Sequence, residues 1–460
     1  MFFERLYYIA LKSRNMRLLF ICFWCLCTQS IIAQILSERE QARVRDEIIG
    51  ERLNQLLPRL MDSTGIDMWV LICREYNEDP VVKTMLPATW LNARRRTIIV
   101  FYRNLQQNKF EKLAVARYSI GEHIKQSWDW QKYPNQWDAL VNLIAERNPK
   151  TIALNYSTDY GHADGLTFTE QKEFAEKLPS EQKSKIVSAE KLAVAWLETR
   201  TEREMQYYEQ LVHFTHRMVE EAFSEKVITP GVTNTDDVVW WIRQYVTDNG
   251  LTTWFHPTVD VQRSDAGNKE FQRSFSERPK AEIIKPGDLL HCDVGISYLG
   301  LNTDIQQLAY VLQPGESEVP GFLKQAMVTG NRLQDILTAE FKTGRTGNEI
   351  LKSAIEKAKA EGINPSIYTH PIGMHGHAAG PTIGLWDQQG GVPGSGDNKL
   401  FPNTCYSIEL NASVEIPQWN KYIRVMLEEN AFFNGTSVRY LHGRQKSIYP
   451  VPRPDGYNGQ

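Results

Sequence analysis

Leu289-Leu-His-Cys-Asp-Val-Gly-Ile-Ser-Tyr-Leu-Gly-Leu-Asn-Thr-Asp304 sets two carboxylates, Asp293 and Asp304, on apolar, β-prone segments on either side of a turn at Tyr298–Asn302. An acid inside a segment built for burial is costly unless something pairs with it. Two such acids facing each other cost more, because like charges repel. A divalent cation removes both costs. The stretch therefore predicts a hairpin that forms half of a metal site, with the other ligands supplied from a distant part of the chain.

Three later residues interrupt apolar, strand-like runs in the same way. They are His370 in Thr-His-Pro-Ile-Gly, Glu409 in Cys-Tyr-Ser-Ile-Glu-Leu, and Glu428 in Met-Leu-Glu-Glu-Asn-Ala-Phe-Phe. Taken singly, a buried Asp reads as a capped turn and a strand His as a satisfied core histidine. Taken together, four carboxylates and one imidazole suit a pair of hard or borderline divalent ions such as Mn, Co or Zn. Carboxylates can bridge such a pair.

Upstream, residues 38–62 carry Val44, Ile48, Leu53, Leu56 and Leu60 at helical spacing, with Pro58 expected to kink the helix. Short apolar runs at 68–73, 97–102, 113–117 and 151–155 read as buried strands, with helices near 137–147 and 170–178. A second domain opens at Thr201, which forms a capping box with Glu204. Further helices are expected from Thr235, from Pro320 and over 348–361, and the stretch 367–433 is again strand-like. A helix-helix-strand-strand order thus occurs on both sides of residue 315. Residues 450–460 are rich in Pro and Gly and read as a loose tail.

A length of 460 residues allows two or three domains with sizeable cores. A formal net charge of -3 gives no hint of nucleic acid. Lys12, Arg14 and Arg17 precede an apolar run from Leu18 to Ala33 that contains Cys22, Cys25 and Cys27. At roughly 16 residues the run is short for a bilayer span. Its small Ala33 before Gln34 predicts a secretory signal peptide over residues 1–33. The mature protein is then secreted or periplasmic, with no stable membrane span; the competing reading is an uncleaved anchor helix. Cys73, Cys292 and Cys405 would remain, an odd and sparse set that argues against a disulfide scaffold. Cys292 and Cys405, close to the candidate ligands, read as buried free thiols, with a metal-ligand role as the alternative.

The stretch from about Thr201 to Phe433 resembles the M24 metallopeptidase superfamily of metal-dependent aminopeptidases, Xaa-Pro aminopeptidases and prolidases. The likeness is carried by Asp293 and Asp304 with Gly287-Asp288 before them, by the pair His370 and His377, by Glu409 in its apolar strand, and by Glu428 ahead of Glu429-Asn430. It implies an α+β chain, with a C-terminal pita-bread domain over 200–445, an α/β creatinase-type domain over 38–195, and a tail at 446–460. It implies that Asp293, Asp304, His370, Glu409 and Glu428 bind two divalent metal ions. Glu409 would also take the proton of the attacking water and pass it to the leaving amine. His377 would hydrogen-bond the substrate carbonyl or the tetrahedral intermediate. The implied activity is hydrolysis of peptide bonds near the N-terminus of small peptides, by an aminopeptidase or dipeptidase of which the Xaa-Pro type is one form. A homodimer is implied by the resemblance alone.

Several positions depart from the family pattern. The family's upstream His has no counterpart, since Ser274-Phe275-Ser276 stands there; His256 lies too far back to replace it. Ala378-Ala379-Gly380-Pro381 follows His377 in place of an acidic residue and Pro, and Met426 stands where an Arg is usual. His256 and His375 are further candidate substrate contacts. Two alternatives stay open: a same-fold metal hydrolase acting on a non-peptide amide or ester, and a non-catalytic binding protein that reuses the fold. A metal-free, creatinase-like enzyme is a third reading, against which the retained acids argue.

Overall fold

The strands Met68–Arg74 and Arg96–Asn104 point successive side chains to opposite faces of one sheet. Trp69, Leu71, Ile99 and Phe101 enter one apolar cluster; Met68, Val70, Ile98 and Val100 enter another. Both faces are covered, which is why these strands read as unbroken apolar runs. Lys125–Gln126, Lys109–Ala114, Arg96–Asn104, Met68–Arg74, Ile152–Leu154 and Ile186–Ser188 follow one another across the sheet. Met68–Arg74 pairs antiparallel with Arg96–Asn104 and parallel with Ile152–Leu154. The structure, a computed structural model, describes residues 35–265, 280–454 and 457. The expected signal peptide and the Ser274-Phe275-Ser276 segment lie outside them. Among the described residues no helix is long and apolar enough to cross a membrane.

The helix expected over 38–62 is interrupted before Pro58 rather than at it. Glu38–Glu51 is α-helical, Arg52–Leu56 is a wider π-turn, and Leu57–Thr64 resumes the α-helix with Pro58 in its first turn. Proline has no N–H to donate and its ring crowds the carbonyl four residues back. Widening the preceding turn accommodates it and places Arg52 fully inside the protein.

The second lobe repeats one arrangement twice. Helices Glu202–Ala222 and Thr235–Asp248 precede strands Thr258–Gln262, Leu289–Val294 and Ile305–Val311. Helices Gly321–Thr338 and Gly347–Ala360 precede Asn364–Ile367, Thr404–Ile416 and Lys421–Phe433. Capping boxes start three of the four helices, at Thr201, Asn234 and Thr346. The strands of both halves join in one nine-stranded sheet, in which Ile305–Val311 of the first half pairs with Lys421–Phe433 of the second. Tyr449–Val451 adds to it in parallel with Ile305–Val311 and is buried, so the segment expected as a loose tail begins inside the sheet.

Four charged residues are buried where the first helix meets the start of the second lobe. Arg52 lies over the Trp196 ring and donates to the Thr199 carbonyl at 2.8 Å and to Glu204 Oε2 at 2.7 Å. Arg200 donates to Glu204 Oε1 at 3.1 Å. Glu198, fully buried nearby, is different: burial outweighs the two arginines and pushes its carboxyl up to about 8. In the unfolded chain it ionises near its ordinary 4.5. Between those values the folded state holds the extra proton, so this residue's contribution to stability falls as pH rises from 4.5 to about 8. Glu198→Gln is expected to match the parent's stability near pH 4.5 and to exceed it at pH 9, by on the order of 5 kcal/mol, in thermal unfolding followed across pH.

Candidate metal centre

Strand register alone brings the acids to one face. Asp293 is paired with Gln306, Gln306 with Glu428, and Glu428 with Glu409. Directly opposed residues on neighbouring strands point the same way. Asp304 sits just before the Ile305–Val311 strand, its N–H bonded to Asn430 Oδ1 at 3.2 Å. Between the two aspartates the chain turns at Leu299 and Gly300, both at positive φ (54° and 82°), a tight turn that glycine eases. His370 enters from the other half, on a two-residue strand paired with Ser407 and Tyr406.

Asp304, His370 and Glu428 are buried, while Asp293 and Glu409 are half-buried at the rim. His370 Nε2 lies 3.7 Å from Asp304 Oδ2 and 3.6 Å from Glu428 Oε1. Its Nδ1 is 2.9 Å from the Pro371 carbonyl, which can only accept. Nδ1 therefore carries a proton, and Nε2, buried with no hydrogen-bond partner, faces the carboxylates. Burial, Glu428, Asp293 and Glu409 push the Asp304 carboxyl well above the usual range; burial, Glu428 and Asp293 do the same to Glu409. Ligand atoms of three overlapping sets converge within 4.8 Å: Asp293–Asp304–Glu428, His370–Glu409–Glu428 and Asp304–His370–His377. Acceptors crowded around an unpartnered imidazole nitrogen are a donor set that fits divalent cations.

The His377 ring stands perpendicular to His370 at 4.8 Å and 5.2 Å from Trp254. One side of the ring is open to solvent. Desolvation on the packed side, followed by His370, pushes its pKa down to about 4. Trp254 is wedged between Gly295 and Gly376, where an added Cβ would fall 2.0 Å and 2.4 Å from the indole; only glycine admits it. His375 turns instead toward the N-terminal lobe, its ring 4.3 Å from His162. His256 lies against the Thr235–Asp248 helix, bonded to Arg243 at 3.1 Å and edge-on to Trp240, and joins none of the converging sets. Cys73, Cys292 and Cys405 are buried free thiols.

Sequence reasoning passed over Gln306, whose Nε2 reaches Glu409 Oε1 at 2.7 Å and Glu428 Oε2 at 2.8 Å. It also passed over Ser407, which donates to Glu428 Oε1 at 2.6 Å, and over Trp254. The signal for Gln306 was its position two residues after Asp304, where strand alternation returns a side chain to the same face.

No curated protein matches the chain by sequence. Among solved structures, the X-Pro aminopeptidase from Thermotoga maritima MSB8 is similar, with TM-score 0.60 at 16% identity over 85% of this chain and 100% of that one. The Xaa-Pro dipeptidase from Bacillus anthracis superposes with TM-score 0.56 at 16% identity, over 90% and 100%. The N-terminal domain of FACT complex subunit SPT16 from chickpea (Cicer arietinum) gives 0.54 at 13%, over 88% and 99%. At such identities these likenesses establish the fold: a pita-bread domain preceded by an N-terminal α/β domain. The profile of metallopeptidase family M24 matches residues 206–440, which span both halves of the repeated lobe and all six converging residues. On that match the chain belongs to metallopeptidase family M24.

Proposed function

We propose that the protein is a dinuclear metal-dependent peptidase that releases residues from the N-terminus of small peptides, as an aminopeptidase or dipeptidase. The observation that carries this reading is the buried, unpartnered His370 Nε2 held between Asp304 and Glu428, ligands drawn from both halves of the lobe. Asp293, Asp304, His370, Glu409 and Glu428 would hold two ions, Mn, Co or Zn. Such a pair polarises a carbonyl oxygen and makes water a nucleophile at neutral pH.

The chain's own groups divide the remaining work. Glu409, at the rim, takes the proton of the attacking water and returns it to the leaving amine. His377, neutral at pH 7, donates its N–H to the substrate carbonyl as charge develops on that oxygen. Beside Glu409 a small depression is lined by Gln306, Ser366, Tyr368, Trp386, Asn411 and Met426, a wall of mixed polar and apolar groups. Met426 contributes to that wall from the position where the family usually carries an Arg.

The purified protein is expected to contain two equivalents of divalent metal and to hydrolyse Xaa-Pro dipeptides or tripeptides. Elemental analysis together with a panel of proline and non-proline peptides checks this. A fully active protein without metal would overturn the dinuclear reading. Turnover confined to non-peptide amides or esters would move the assignment to another substrate class, and metal uptake without turnover would favour a binding protein.

A further inference from the structure

Gln306 is an uncharged side chain bonded to the carboxylates of two members of the acidic cluster. Its amide has two N–H donors, and each is committed to a different carboxylate: Glu409 Oε1 at 2.7 Å and Glu428 Oε2 at 2.8 Å. Its Oε1 lies 2.9 Å from His291 Nε2. An amide oxygen can only accept, so His291 Nε2 donates to it. The reverse orientation would set the oxygen against two carboxylates, so the network fixes the amide one way round. His291 in turn lies 3.3 Å from Asp260 Oδ2 through Nδ1. Asp260, His291 and Gln306 are all buried. Strand pairing sets Asp260 opposite His291, and Asp293 and Glu428 opposite Gln306, so the row runs along one sheet face from Thr258–Gln262 to Lys421–Phe433.

Glu409 and Glu428 are directly opposed, where like charges repel. A carboxylate has about four lone-pair sites, so one amide bond to each leaves the others for cations. We propose that Gln306 is a positioning residue of this metal centre: anchored by Asp260–His291, it spans Glu409 and Glu428 and holds them at the spacing that cations require, and in the metal-free protein its two N–H groups stand in for those cations. This rests on the metal-centre reading above and adds a residue that does not itself bind metal.

The test is Mn2+ titration calorimetry on the full protein stripped with chelator, with melting temperatures measured in chelator and in Mn2+. Gln306→Met keeps the volume and removes both donors. It is expected to weaken Mn2+ binding by about 10–100-fold, the usual cost of losing an outer hydrogen bond to a ligand. Its melting temperature should fall in chelator and fall further in saturating Mn2+, because weaker binding returns less stability to the native state. Gln307→Met is the control. Gln307 is buried on the same strand but bonds Glu429 and Tyr449 on the other face. That variant should melt lower while binding Mn2+ like the parent. If Gln306→Met does not fold, Gln306→Asn, with the same donors on a shorter arm, is expected to show the same loss of affinity. Unchanged affinity in the folded Gln306 variant, or an equal loss in Gln307→Met, overturns the proposal and leaves the metal centre standing. A parent that takes up none of Mn2+, Co2+ and Zn2+ overturns both.

Discussion

An Asp304→Asn variant is expected to hydrolyse peptides at least about 10³-fold more slowly than the parent and, once stripped of metal, to melt higher than the parent. The two effects have one origin. Asp304 belongs to two of the three converging ligand sets, so losing its charge weakens cation binding on both sides. A bound cation contributes several kcal/mol of transition-state stabilisation, and each 1.36 kcal/mol is tenfold in rate. Without cations the same charge is a burden. Burial, then Glu428, Asp293 and Glu409, already push the Asp304 carboxyl well above its usual range. Asparagine removes that burden and leaves the backbone bond to Asn430 in place. Steady-state peptide hydrolysis and melting curves with and without Mn2+ decide the matter. The parent should gain stability on adding Mn2+ and the variant little, because only the native state carries the site. An active variant, or one destabilised in chelator, would refute the view that these acids gather for cations.

Much of this site was legible because charge in an apolar strand is conspicuous. Asp293, Asp304, Glu409 and Glu428 each interrupt a run that the sheet buries, and the structure sets them on one face. The capping box at Thr201 was equally readable, since it is a local pattern of two residues. Residues whose purpose depends on distant partners were not legible. His291 is a polar residue in a strand, and nothing local separates a side chain aimed at a solvated face from one aimed at Asp260 and Gln306. Glu204 sits in the first turn of a helix, where an acid is ordinary; only the approach of Arg52, far away in the chain, reveals it as buried. The π-turn at Arg52–Leu56 and the strand at Tyr449–Val451 were missed for related reasons. The first is how the helix adjusts to Pro58, and the second pairs only because Ile305–Val311 offers an edge.

Glu204→Gln is expected to destabilise the protein by about 3–5 kcal/mol, the usual result of removing one partner from a buried ionic group. Glutamine keeps the volume and can still close the capping box with Thr201, so the variant isolates the charge. Arg52 and Arg200, each fully buried, would then face each other without the anion that now accepts from both. Replacing all three by apolar residues, Arg52→Met, Arg200→Met and Glu204→Leu, should recover most of the loss, because the ions are no longer buried at all. Urea unfolding of the parent and both variants measures this, and a Glu204→Gln midpoint equal to the parent's would show that the network contributes nothing. The triple variant also separates stability from function. The Arg200 guanidinium lies under Gly373, whose added Cβ would come within 3.2 Å of it, at the base of the loop that carries His375 and His377. Flexible methionine in place of that rigid, planar group no longer fixes the loop from below. The expected outcome is a protein nearly as stable as the parent but slower in peptide hydrolysis, because the loop that carries His377 is then no longer braced from below.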